Sequence, residues 1–185
     1  MLAHLAVVAS SAALTVAAVL SAHALGQVRR GFVATVATFD GYEGWTRFDR
    51  GSQPVGPQHP DGSSAVFVSS MPARGARAFD DGTVIVRVTT SVDPDPRTWE
   101  LHAMVKRGGA FNSDGARGWE FFDLHLEPDA RGVYRPAIAW RGDGPPQGDG
   151  YVAPEGGVEL GCNHCHGAAV DNDSVLGPEL DLDQL

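Results

Sequence analysis

The pattern of apolar and polar positions is most regular over Thr83–Thr90, which is β-branched or apolar almost throughout, with Arg87 as its single charge; it predicts a strand. Glu100–Arg107 predicts another, with Leu101, Ala103 and Val105 on one face and Glu100, His102, Met104 and Lys106 on the other. Trp119–Leu126 follows, with Trp119, Phe121, Asp123 and His125 on one face, and Val133–Trp140 reads as its return after the turn at 128–132. Ala65–Val68 is a shorter apolar strand. Helical spacing is confined to three places. Tyr42, Trp45 and Phe48 recur at three-residue steps within Phe39–Asp49, Met71–Ala78 reads as one turn, and Val158–Ala169 reads as a helix near the C-terminus. The strands are joined by Gly-, Pro- and Asp-rich loops without helical crossovers. The chain is therefore expected to be mainly β (α+β), an antiparallel sheet with a few short helices. The run 142–157 is too poor in apolar residues to pack as an element and reads as a long loop.

The N-terminal pattern is different. Leu5–Leu20 is an uncharged run of 16 residues, shorter than the ~20 that span a bilayer. Ala22-His23-Ala24 follows as an A-x-A cleavage site, so residues 1–24 read as a secretory signal peptide. Met1-Leu2-Ala3-His4 carries no Lys or Arg, and Arg29 and Arg30 lie just beyond the run, so an uncleaved membrane anchor stays open. Either way the expected location is the periplasm or outside the cell. Residues 25–38 are an extension, 39–176 one domain, and 177–185 an acidic tail expected to fray. The net charge of −9 argues against nucleic acid as a partner. It suits a basic redox partner protein, and equally an ordinary solubility surface.

Chemistry concentrates at Cys162-Asn163-His164-Cys165-His166, which reads C-x-x-C-H, the attachment signature of one covalent haem c. The thiols of Cys162 and Cys165 would each add to a haem vinyl group, and His166 would be the proximal iron ligand. The helix at Val158–Ala169 would then carry the haem. These are the only two cysteines in the chain, and no second C-x-x-C or H-x-x-x-H supplies the rest of a zinc site. A local disulfide in an exported binding module is the plainer alternative.

With that motif in place, the order of several blocks resembles the cytochrome P-460 family. Phe79-Asp80-Asp81-Gly82-Thr83-Val84-Ile85-Val86 is similar to its F-x-D-G-[TS]-V-x-V strand. Met104-Val105-Lys106-Arg107 and Gly118-Trp119-Glu120-Phe121-Phe122 are similar to its next two blocks, and Asp171-x-Asp173-x-Val175 follows the haem motif, so the resemblance covers roughly residues 40–176. It implies a mainly antiparallel β fold around one c-type haem, often in a homodimer. One branch oxidises hydroxylamine; the other, the cytochrome c′-beta branch, keeps a five-coordinate haem that binds nitric oxide or carbon monoxide. The function implied is that of a monohaem c-type cytochrome binding nitric oxide, or oxidising a small nitrogen compound such as hydroxylamine, at the iron.

Two positions depart from the family pattern. The lysine that cross-links the porphyrin in hydroxylamine-oxidising relatives is matched by Arg87, whose guanidinium stays protonated and is no ready nucleophile. Arg87 suits a haem propionate instead, or is a strand-face arginine paired with an acidic loop. Lys106, the only lysine, lies in a different block. The distal carboxylate of enzymatic relatives is matched by His102. That imidazole could ligate the iron, giving a six-coordinate electron carrier without substrate chemistry, or stand off as a donor or base to a bound ligand. It could also be a satisfied histidine on a sheet face. Met104 and Met71 are candidate thioether ligands, His125 and His59 weaker candidates, and His164 a spacer. Enzymatic activity is left open by the missing cross-linking lysine.

Overall fold

The computed structural model describes residues 31–52, 63–142 and 161–185. The loop expected at 143–157, the start of the C-terminal helix at 158–160, His59 and the leader lie outside the described residues. Residues 31–185 form one unit. Its frame is a six-stranded antiparallel sheet in sequence order: β1 (Thr46–Gly51), β2 (Ser63–Val68), β3 (Val84–Thr90), β4 (Glu100–Lys106), β5 (Trp119–Pro128) and β6 (Tyr134–Arg141). Every neighbouring pair is antiparallel, as the absence of helical crossovers demands.

Alternation along these strands sorts the core into two clusters, one on each face. The first contains Val84, Val86, Val88, Leu101, Ala103, Val105, Phe122, Leu124 and Leu126, closed over by Ala34, Phe39 and Tyr42. The second contains Val66, Val68, Ile85, Met104, Trp119 and Phe121, closed over by Phe79, Ala116 and the C-terminal Val175, Leu180 and Leu182. The two faces anticipated on Glu100–Arg107 are the two clusters.

One expectation needs correction. Phe39–Asp49 is not one helix. It forms 3-10 turns at Val36–Phe39 and Tyr42–Gly44 and then enters β1. Gly41 takes a left-handed φ of 71°, which breaks the helical path, and β1 then pairs with β2. Tyr42 and Phe48 consequently pack on opposite faces of the sheet. The described part of the 25–38 extension packs onto the domain. Ala34 is in the core, and its carbonyl and that of Phe32 accept from the Arg141 and Arg107 guanidiniums. The acidic tail packs on it as well. Leu180 and Leu182 are buried, and the Asn172 side chain bonds the backbone of Val175, Leu180 and Leu182. Among the described residues, no helix is long and apolar enough to cross a membrane.

Candidate functional site

The C-x-x-C-H motif forms a single five-residue helix, α1 (Cys162–His166). So short a helix is marginal by itself, and it is held by what it docks onto. Asn163, between the cysteines, is its anchor. The Asn163 Oδ1 accepts from the Ala116 N–H at 2.9 Å and from the Asn112 Nδ2 at 2.8 Å, and its Nδ2 donates back to Asn112 Oδ1 at 2.9 Å. Asn112 is fully buried and also donates to the carbonyls of Ala116 and Trp119. The approach is tight. A Cβ on Gly115 would run into the Asn163 side chain, and one on Gly167 would lie 2.5 Å from the Asn163 carbonyl oxygen.

His166 is oriented from the other side. Asp173 and Ser174 both take left-handed conformations, with φ of 49° and 62°. That turn brings the Ser174 carbonyl to 2.9 Å from His166 Nδ1. A carbonyl oxygen only accepts, so Nδ1 carries the proton and Nε2 keeps its lone pair. The ring rests against Phe121, 5.0 Å between centroids, and burial holds its pKa below the ordinary value, which favours the neutral imidazole that metals bind.

Asp173 ties this turn to the sheet. Its carboxylate accepts from the Phe79 N–H at 2.9 Å and from Lys106 Nζ at 2.5 Å, and its carbonyl accepts from Trp119 Nε1 at 2.6 Å. Lys106 also lies 4.9 Å from the centre of the Trp119 ring. Phe79, Lys106, Trp119 and Asp173 come from four separate sequence blocks that the family resemblance linked only by their order. The lone lysine is thus committed to an ion pair.

Cys162 and Cys165 are free thiols, the first partly buried against the second cluster and the second exposed. Burial, aided by the Asp123 charge, pushes the Cys162 thiol up to about 11. Thiolate chemistry needs the opposite shift, so burial disfavours it at Cys162. Among the described residues, no three His, Cys, Asp or Glu side chains gather as a metal cage.

On the same face a polar row crosses three strands. Arg87 on β3 pairs in register with His102 on β4, and His102 with Asp123 on β5. His102 Nδ1 lies 2.8 Å from Asp123 Oδ1, and its Nε2 lies 3.6 Å from Glu100 Oε2. The Asp123 hydrogen bond is the main reason the His102 pKa is raised; burial and Arg87 oppose it. The Nε and Nη2 atoms of Arg87 are buried without a hydrogen-bond partner among the described residues. Burial and the nearby Arg50 charge lower its pKa. Such a guanidinium is suited to receive a carboxylate.

The structure therefore brings Arg87 and His102 to the same sheet face as α1. Met104 is buried within the apolar cluster and Met71 lies at its margin, while His125 pairs with Glu127 at 2.8 Å and His164 is exposed. Reading by residue type missed Asn163, Asn112, Ser174 and the role of Asp123. Only Asp123 had a signal, its place on the His125 face of β5. A donor set of two thiols, one imidazole with a fixed tautomer and one guanidinium with two nitrogens unpartnered among the described residues fits a covalently attached haem. Comparison of the chain with protein-family models, with curated proteins and with solved structures gives no match.

Proposed function

We propose that the chain is an exported monohaem c-type cytochrome of the P-460 type that binds a small ligand such as nitric oxide at its iron. Cys162 and Cys165 would hold the haem, His166 would be the axial ligand, and Arg87 would take a propionate. The haem would supply an iron site that binds small molecules and exchanges electrons. The observation that carries this reading is the Ser174 carbonyl on His166 Nδ1, which leaves the Nε2 lone pair of a C-x-x-C-H histidine for a metal. His102 is held by Asp123 rather than presented bare, which favours a stand-off role over ligation. Arg87 stands at the cross-linking position and Lys106 is ion-paired, so ligand binding is favoured over hydroxylamine oxidation. A homodimer and a separate redox partner belong to the same reading, as does the periplasmic location.

The test begins with haem staining of the denatured protein after expression with a haem-attachment system. Covalent stain should persist in the wild type and vanish in Cys162→Ser/Cys165→Ser. The ferric and reduced spectra are then recorded before and after nitric oxide. A high-spin spectrum that shifts with nitric oxide is expected, without the far-red Soret band of a lysine cross-link. A sharp low-spin spectrum indifferent to nitric oxide would overturn the open site in favour of an electron carrier.

A further inference from the structure

We propose that the buried Lys106–Asp173 ion pair is the positioning element for the axial ligand of this site. It holds the turn at 173–174 so that the Ser174 carbonyl stays on His166 Nδ1–H and raises the electron density that Nε2 offers the iron. The inference rests on the haem reading above and concerns how the chain sets the properties of that iron. Asp173 and Ser174 are adjacent non-glycine residues in the left-handed region, at φ 49° and 62°. Such a turn is strained and persists only where its surroundings over-determine it. Asp173 supplies that determination. Its Oδ1 accepts from Lys106 Nζ at 2.5 Å, its Oδ2 from the Phe79 N–H at 2.9 Å, and its carbonyl from Trp119 Nε1 at 2.6 Å. One residue further, the Ser174 N–H donates to the Ala169 carbonyl at 2.8 Å, and the Ser174 carbonyl accepts from His166 at 2.9 Å. The group that fixes the imidazole is thus the immediate neighbour of a residue anchored at three points.

Lys106 is placed for this contact. Its side chain is 9% exposed and that of Asp173 13%. Its Nζ also donates to the Arg117 carbonyl at 3.2 Å. Gly118, left-handed at φ 84°, approaches so closely that a Cβ there would lie 3.2 Å from Lys106 Nζ. A buried ion pair adds little stability over an apolar pair of the same shape. What it adds here is direction, because a charge-assisted bond fixes a carboxylate that an apolar neighbour would leave free to turn.

An Nδ1–H held on a carbonyl makes the imidazole a stronger donor, which favours ferric over ferrous iron and lowers the reduction potential. Slack in the Asp173 turn weakens that one bond, so the potential rises. Charge alone acts differently: losing the ammonium lowers the potential, and losing the carboxylate raises it. The double variant Lys106→Met/Asp173→Asn removes one charge of each sign and leaves the net charge unaltered, so its shift reports position.

The experiment uses the haem-bearing protein. Potentiometry gives the reduction potential. Exchange of the His166 Nδ1 proton is followed by NMR in the diamagnetic reduced form, as the carbonyl complex where the reduced iron is high-spin. In Lys106→Met/Asp173→Asn the potential should rise and the Nδ1 proton should exchange about ten-fold faster, the opening factor of one lost hydrogen bond. Asp173→Asn alone keeps an acceptor for the Phe79 N–H and tolerates the left-handed turn. Its Nδ1 proton should also exchange faster, and this variant decides the question if the double variant does not fold. Glu120→Gln loosens the opposite face and should move neither readout. An unaltered potential or an unaltered proton exchange in the double variant would overturn the proposal, as would unaltered exchange in Asp173→Asn. Equal shifts in Glu120→Gln would overturn it too, since they signal general loosening. Loss of haem stain in the wild type sinks the preceding reading, whereas unaltered readouts in a haem-bearing variant sink this one alone.

Discussion

Two charged side chains on opposite faces of the sheet, Glu120 and Arg87, are answered in opposite ways. On the first face Glu120 is almost fully buried, and Arg141 grips its Oε1 with two bonds at 3.0 and 2.8 Å while Arg107 stands 3.6 Å from Oε2. That charge is answered within the chain. On the second face, Arg87 keeps two buried nitrogens unpartnered among the described residues, and His102 sits between two carboxylates it shares with solvent. One face is a finished core. The other begins as a core at Met104 and Phe121 and turns polar one residue pair further along the strands, beside α1. A buried cation left unsatisfied costs stability, so the second face is the one shaped for something other than folding.

The contrast can be broken most strongly at Glu120. Glu120→Ala leaves Arg141 without its partner and should cost about 3–5 kcal/mol, read as a lower urea midpoint. Asn112→Ala removes the reciprocal amide pair under α1. It should cost about 1–3 kcal/mol and speed hydrogen exchange at 161–167 while leaving the sheet amides protected. Arg87→Met sharpens the contrast from the other side. In the haem-free chain stability should hold within about 1 kcal/mol or rise, because the lost charge had no hydrogen bond from those nitrogens to lose. A clear loss would show that the chain itself answers that charge. The smallest effect is the pH dependence of His102. Its pKa is raised on folding, so its contribution is complete below the unfolded value of ~6.5 and is lost as pH rises through the folded value. Urea midpoints from pH 5.5 to 8.5 should therefore fall more in the wild type than in Asp123→Asn.

The four long strands were legible because each is a run rich in β-branched, aromatic or other apolar residues bounded by turn residues, and so were the faces of β4, where alternation assigns successive side chains to opposite sides. β1 was not, because Tyr42, Trp45 and Phe48 happen to fit a three-residue step as well as they fit a turn followed by a strand. Only the pairing of Phe48 with Val66 decides between them. Of the site, Cys162, Cys165 and His166 were visible as a motif, and the structure places the three on one short helix. Asn163 occupies a spacer position, where residue type carries no signal, and its partner Asn112 is 51 residues away. Ser174 acts through a backbone carbonyl, which any residue possesses. The packing of the tail was hard to read for a related reason: its acidic residues dominate the composition, yet its two buried leucines decide where it lies.

The bond between the Phe79 amide and the Asp173 carboxylate spans 94 residues. The strands, by contrast, each pair with the next one along the chain. Loop closure therefore separates two events in time. Neighbouring strands can zip up locally, while the turn that fixes His166 must wait for a distant encounter. During that interval both thiols of α1 sit on a loose end beside an already formed sheet. A thiol-modifying assembly machine would meet its target open at that stage, and docking of Asp173 would then close the segment over the finished product.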